Sequence, residues 1–314
     1  MDFTSISDLS LAECLELVET RFDAQSIATR RIDQEGVLEY FRQSDRGYRL
    51  FHSKDGAMHV ALNCNEHFST EGYLGQVELL EKQLVSCRAE KVLEVGCGTG
   101  FNTRHLAARL SGTNFIGLDL SSSHVDTARS EAYEYGNVEF ETGDFQQLRF
   151  EEYTFDAVVA VECLCQTHDM RRTLQEAFRV LRPGGQLLVI DVFRQAPLES
   201  YHEEVQLAAR LVEKAMAVDE FAVLDQWCEQ ARDIGFVVRQ QTDLSQEISH
   251  NVARFHKLAR RFFRIPQTAR ILLKAFPPRL LENAISGLLM PFTVGCGVQS
   301  YCFCVLERPE VERL

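Results

Sequence analysis

The chain has 314 residues, 45% of them hydrophobic and 25% charged, enough apolar material for one large domain with insertions or two small ones. Its formal net charge of −13 opposes generic attraction to phosphate backbones, so no nucleic-acid partner is expected. No apolar run reaches membrane-span length, no basic-then-apolar leader opens the chain, and no solenoid-like repeat recurs, so a soluble, cytoplasmic protein is expected.

Residues 1–85 read as an N-terminal helical cap, with Leu9, Leu11, Leu15 and Val18 at helical spacing. A regular alternation of strand and helix follows. KVLEV at 91–95 is a short apolar strand that runs into glycines, and FNTRHLAARL continues it as a helix. NFIGLDL at 114–120 is a second strand, and Ser121 to Ser123 offer caps for a helix toward Tyr135. VEFETGD is a third strand, and FDAVVAVE at 155–162 a fourth with the two-sided apolarity of a buried parallel strand. A helix from Met170 to Leu181 stops at Arg182-Pro183-Gly184-Gly185, and QLLVIDVF at 186–193 is the fifth strand. Residues 198–234 read as helical, 235–244 as a sixth strand and 298–307 as a seventh. The expected fold is α/β: a Rossmann-like, mostly parallel seven-stranded sheet with helices on both faces. The core would cover 86–245, a helical lid would be inserted at 246–297, and 298–314 would supply the last strand and tail.

The ten cysteines are scattered, with no CxxC pair. Cys163 and Cys165, like Cys302 and Cys304, fall two apart in strand-like runs and should share a face as reduced, half-buried thiols. Weighed against that reading, a metal role for Cys163, Cys165 and His168 is not adopted, and no metal is expected. The stretch 248–281 holds no Asp or Glu but carries Arg254, Lys257, Arg260, Arg261, Arg264, Arg270, Lys274 and Arg279 among phenylalanines and leucines. Three readings stand for this basic island, which Pro266, Pro277, Pro278 and Pro291 should break. It is a solvated amphipathic lid, an anionic handle over a greasy pocket, or a face that rests on anionic membrane. Under the second reading Arg260 and Arg264, four residues apart, would share a helix face toward an acceptor's phosphates.

The strongest chemical signal is VLEVGCGTG at 92–100, where a strand delivers Gly96, Gly98 and Gly100 to a helix N-terminus. Without side chains, such a loop lets a ligand approach the backbone. Asp119, about twenty residues on at the end of the next strand, can accept hydrogen bonds from both hydroxyls of a ribose. These two features alone leave a nicotinamide enzyme open. With GLDLS at 117–121, TGDF at 142–145, FDAVVAVECL at 155–164 and VLRPGGQLLVID at 180–191, the sequence resembles the class I methyltransferases that depend on S-adenosylmethionine (SAM).

That resemblance implies SAM as cofactor, with Glu94 and the Gly96–Gly100 loop bordering its methionine part and Asp119 with Leu120 at the ribose. It also implies Asp144 and Phe145 at the adenine and the backbone of Val161 near the methionine amine. ECLCQTHD at 162–169, MHVAL at 58–62 and LGQVELLEKQL at 74–84 resemble the branch that methylates sterols, tocopherols and prenyl diphosphates at carbon. In that branch Gln76 would begin a helix near the cofactor. One departure is Gln166, which stands where relatives usually carry a histidine, so a basic role cannot be carried over to it; it remains a substrate-side candidate. Glu162, at the end of the fourth strand, is the leading candidate for a base or cation-stabilising carboxylate; orienting the SAM amine is its alternative. His59 and Tyr40 are further catalytic candidates, and Tyr48 and His52 would contact the acceptor.

The expected activity is methyl transfer to a small lipophilic acceptor, an isoprenoid or prenyl diphosphate in particular. The alternatives are O- or N-methylation of a quinol, lipid or other hydrophobic molecule, and a SAM-binding protein without catalysis. Peripheral membrane contact and homo-oligomerisation are both compatible with the sequence.

Overall fold

The computed structural model describes residues 2–63, 67–264 and 275–310. Helix α1 (Leu11–Glu19) starts on a reciprocal capping box: the Glu13 N–H donates to Ser10 Oγ, and the Ser10 N–H donates to Glu13 Oε2 at 2.7 Å. Its buried side is Cys14, Leu15 and Val18; of the expected stripe, Leu15 and Val18 are buried, Leu11 is half-buried and Leu9 precedes the helix. Helices α2 (Ala24–Ala28) and α3 (Gln34–Gly47) begin on Asp23 and Asp33, whose carboxylates accept the orphan N–H groups of the first turns. A π-helical turn, Tyr48–His52, follows, and α4 (Gly75–Ser86) leads into the sheet.

The strands are β1 (Lys91–Val95), β2 (Asn114–Asp119), β3 (Val138–Thr142), β4 (Phe155–Val161), β5 (Leu181–Arg194), β6 (Val237–Asp243) and β7 (Gln299–Glu307). They lie in the order β3-β2-β1-β4-β5-β7-β6, with β7 antiparallel to both neighbours and the other pairs parallel. This is the mostly parallel, seven-stranded Rossmann-like sheet expected from the strand–helix alternation. The connections are α5 (Phe101–Arg109), α6 (Ser122–Glu131), α7 (Met170–Val180), α8 (Glu203–Ala215) and α9 (Leu224–Ile234). The strand order reverses between β1 and β4, so the chain opens a crevice at their carboxyl ends, where open α/β sheets bind ligands.

Between β6 and β7 the chain inserts α10 (Ser249–Arg264) and α11 (Pro278–Gly295). The N-terminal helices, one face of the sheet, α8 and these two helices share one buried apolar cluster, to which Leu15, Leu80, Ile190, Leu211, Val252 and Leu288 contribute.

Three local expectations change. Pro291 lies inside α11 instead of breaking it. The ring removes the donor that the Gly287 carbonyl would meet, but His256 on α10 donates from Nδ1 to the next carbonyl, Leu288 O, at 3.0 Å. Pro266, Arg270 and Lys274 of the basic island lie outside the described residues. β5 begins at Leu181 rather than after the glycines: Phe155 pairs with Leu181 and Ala157 with Gln186, so residues 182–185 bulge from a continuous strand. Cys163 and Cys165 sit beyond β4 around a short 3-10 turn (Leu164–Gln166), whereas Cys302 and Cys304 do share a buried face of β7. Among the described residues no helix is long and apolar enough to cross a membrane, and no cluster of His, Cys, Asp and Glu could hold a metal ion.

Candidate active site

The crevice is a real cavity, bounded by the carboxyl ends of β1, β2, β4 and β5 and roofed by α3 and the turn after it. Its glycine loop follows directly from β1. Gly96 (φ +63) and Gly98 (φ +54) adopt left-handed backbone that favours glycine. A Cβ on Gly96 would stand 2.4 Å from Cys163 Cβ, and one on Gly98 would meet Met58 Sδ at 3.0 Å. Bare backbone therefore faces the cavity at Gly96 and Gly98, where a ligand could approach the main chain. Gly100 (φ +78) caps α5 and is set back from the cavity wall.

Besides Glu162, four carboxylates line the cavity, one of them next to the Phe145 ring. Asp119 Oδ2 accepts from the Gly98 N–H at 2.8 Å and Oδ1 from the Ser121 N–H at 2.9 Å. Asp119 therefore shapes the glycine loop as well as facing the cavity, which the spacing alone did not reveal. His124 lies between Asp119 and Asp45 of α3, with Nε2 2.9 Å from Asp45 Oδ1 and Nδ1 3.5 Å from Asp119 Oδ1. Burial pulls this imidazole toward neutrality, but the two carboxylates outweigh it and push its pKa up to about 9. Asp144 Oδ2 accepts from Gln34 Nε2 at 2.9 Å, a second tie from α3 to this wall, with Phe145 beside it. Glu94 is buried; burial pushes its pKa up to about 7 against hydrogen bonds from Thr103 and Asn102. The fourth, Asp191, ends the apolar run of β5; burial raises it to about 6, while the N–H groups of Cys165 and Val192 hold it.

Glu162 stands where β4 leaves the sheet, with a left-handed backbone (φ +47) that turns its side chain into the cavity. Non-glycine residues rarely hold this conformation, and such strain gathers at functional positions. Its Oε1 accepts from the Val60 N–H at 2.8 Å and from the Tyr301 hydroxyl at 2.7 Å, which leaves Oε2 as the oxygen available to a ligand. Burial pushes its pKa up to about 7, opposed by those two bonds.

Thirteen of the eighteen residues singled out in the sequence lie on this wall: Tyr40, Tyr48, His59, Glu94, Gly96, Gly98, Asp119, Leu120, Asp144, Phe145, Val161, Glu162 and Gln166. Five do not. Besides Gly100, Gln76 is buried behind the wall, where Nε2 donates to Val60 O at 2.7 Å and to the Tyr301 hydroxyl at 3.0 Å. It supports Glu162 through Tyr301. His52 turns away, with Nε2 against His59 O at 2.8 Å and its ring stacked on Phe255. Arg260 pairs with Asp8 on the outside of α10, and Arg264 is exposed at the end of that helix.

Within the wall, His59 Nδ1 lies 3.0 Å from Val60 O and Nε2 3.1 Å from Asn102 Oδ1; burial holds its pKa down to about 4, so the neutral ring donates to one of these oxygens at a time. It is poorly placed to accept a proton. Tyr40 donates to Asn283 at 2.8 Å and meets the Tyr48 hydroxyl at 2.8 Å; burial pushes the Tyr40 phenol up to about 12. Both tyrosines therefore present rings rather than acids or bases.

Asn102, His124 and Asp191 also line the cavity. Asp191 carries the signal that singled out Glu162, an acid at the carboxyl end of a core strand. Asn102 and His124 lie in the first turns of helices that follow the two cofactor motifs, a position that could have flagged them.

Residues 92–185 match the family model described as a methyltransferase domain. Sterol 24-C-methyltransferase ERG6 of Saccharomyces cerevisiae is 30% identical over 161 residues, 50% of this chain and 42% of that protein. O-methyltransferase cnsE of Penicillium expansum is 30% identical over 169 residues, 53% of this chain and 59% of that protein. The chain thus spans about half the length of the curated relatives it matches. Among solved structures, the 4+2 cyclase SpnF superposes with a TM-score of 0.73 at 18% identity, covering 90% of this chain and 98% of that one. That likeness is one of fold, and a fold shared with a cyclase does not fix the reaction.

Proposed function

We propose that the chain is a class I SAM-dependent methyltransferase that moves the methyl group of SAM to a carbon atom of an uncharged, lipophilic acceptor of the sterol or isoprenoid type. One observation carries the choice of acceptor. The cavity wall holds five carboxylates, Glu94, Asp119, Asp144, Glu162 and Asp191, and among the described residues no lysine or arginine. A diphosphate would meet like charge there, and the one cation among the described lining residues, the His124 imidazolium, is already paired with Asp45 and Asp119. The anionic-handle reading of Arg260 and Arg264 loses its basis, because both stand off the wall.

When bound, SAM supplies a methyl group on a positively charged sulfur, ready for in-line displacement. Asp119 would hold the ribose, Asp144 and Phe145 the adenine, and Glu94 with the glycine loop the amino-acid end. For an alkene acceptor, the π electrons form the new carbon–carbon bond as the sulfur–methyl bond breaks, and the positive charge passes to the neighbouring carbon. The rings of Tyr40 and Tyr48 and the Glu162 carboxylate would stabilise that charge, and Glu162 Oε2 would then take the proton whose loss restores the double bond. The likeness to a sterol C-methyltransferase supports this choice of atom. The likeness to an O-methyltransferase favours a second reading, in which Glu162 removes a hydroxyl proton instead.

Incubation with methyl-labelled SAM tests both. The acceptors are a sterol, a free prenyl alcohol, the same prenyl chain as its diphosphate, a quinol and an amine. Label in the carbon skeleton of a neutral isoprenoid or sterol is the expected result. Label on the diphosphate alone would contradict the charge argument. Label on the quinol oxygen would select the second reading, and no transfer to any class would return the chain to SAM binding without catalysis.

A further inference from the structure

The π-helical turn after α3 places two large apolar side chains in water. Leu50 is 60% exposed and Phe51 52% exposed. Helix α10 lies beside them, because Arg254 Nη2 donates to the Phe51 carbonyl. From Arg254, the positions three, four and seven residues on are Lys257, Leu258 and Arg261, which continue the same helix face, and all three are exposed. Leu258 adds a third exposed apolar side chain. The stretch 248–281 carries no acidic residue, in a chain whose net charge is −13. His52, in the same turn, is fixed by its stack on Phe255 and its bond to His59 O, so the turn is anchored to α10 and to the cavity wall together.

We propose that Leu50, Phe51 and Leu258, with Lys257 and Arg261, form a docking face for an anionic lipid bilayer. Adjacent exposed apolar residues flanked by cations have the composition that inserts side chains into the acyl boundary while the charges meet lipid headgroups. A two-fold dimer built on this face would set Lys257 and Arg261 against their own copies, like charge on like, whereas an anionic bilayer offers headgroup charge and acyl chain at one surface. The face adjoins Tyr48, which lines the cavity, so docking would bring the cavity beside the phase in which a lipophilic molecule dissolves. The docking face itself does not depend on methyl transfer.

Cosedimentation with vesicles tests it, using phosphatidylcholine alone and phosphatidylcholine with 30 mol% phosphatidylserine. The chain should bind the anionic vesicles roughly tenfold or more tightly than the neutral ones, and added salt should weaken the difference. Replacing Leu50→Ser with Phe51→Ser should lower binding about tenfold or more, and Lys257→Gln with Arg261→Gln by a similar factor. These side chains are exposed, so the thermal transition and SAM affinity should stay at parental values; a variant that loses its transition is replaced by the single changes Phe51→Ser and Arg261→Gln. Equal binding by parent and variants, or no binding to anionic vesicles, overturns the proposal. So does a concentration-dependent dimer that Phe51→Ser dissolves while vesicle binding is absent, because the face would then belong to a second copy.

Discussion

Glu162→Gln should lower kcat by about a hundredfold to ten-thousandfold while shifting the SAM dissociation constant less than about threefold. The amide keeps an oxygen for the Val60 N–H and the Tyr301 hydroxyl, so the anchor at Oε1 survives. What disappears is the charge facing the cavity and the capacity to take a proton. Parental activity should carry the signature of the same group. With its pKa pushed up to about 7, the carboxylate becomes competent as pH rises through neutrality, so kcat should climb below pH 7 and level off above it.

Stability separates this from a folding defect. A carboxyl group that ionises near 7 in the folded chain and near 4.5 in the unfolded one binds more protons when folded, so its contribution weakens as pH rises from 4.5 to 7. The Gln variant lacks that decline and should be no less stable than the parent at pH 8. Steady-state rates, calorimetric SAM affinity and urea unfolding across pH check the three parts. Equal losses in SAM affinity and turnover would instead place Glu162 on the methionine amine.

Glu213→Ala should cost about 3–5 kcal/mol of folding free energy, because it strands a buried guanidinium. Arg194, at the end of β5, donates to Glu213 through Nε and Nη2, both at 2.7 Å, and the two side chains are 5% and 0% exposed. The remaining partner of Arg194, Glu220, is 68% exposed and offsets little of the loss. The pair also holds a wall of the site: Glu213 lies in the buried last turns of α8, its main-chain carbonyl accepts from the Val218 N–H at 2.9 Å, and Met216, Val218 and Phe221 line the cavity. Urea unfolding measures the stability loss, and acceptor KM should rise with it. The joint replacement Arg194→Met with Glu213→Leu removes both charges and should recover most of the lost stability. A single variant as stable as the parent would mean that the ion pair is not buried in solution.

The strand–helix alternation and the cofactor loop were legible because they rest on local chemistry. A buried parallel strand must be apolar on both faces, as FDAVVAV is, and a left-handed turn at Gly96 or Gly98 favours glycine. Glu162 was legible because strand direction alone aims the end of β4 at the crevice. Other features were not local. The amphipathic pattern of α10 showed that Arg260 and Arg264 share a helix, but not that Arg260 would meet Asp8 at the other end of the chain. Gln76 begins its helix as expected, yet its direction depends on Tyr301, 225 residues away. His52 and His59 sit in one segment, and only packing decides that one ring faces Phe255 while the other reaches the wall. His124 looks like an ordinary helix residue until Asp45 of α3 is brought beside Asp119.

Calorimetric titration of the parent and of Asp119→Ala with SAM and with NAD tests most directly whether this cavity is a SAM site. One SAM per chain should bind the parent, and NAD should not. Affinity should fall about 5- to 150-fold in the variant, corresponding to roughly 1–3 kcal/mol for hydrogen bonds to a charged acceptor and for the Gly98 N–H it also organises. NAD binding without SAM binding, or SAM affinity unchanged in a folded Asp119→Ala chain, would contradict the account.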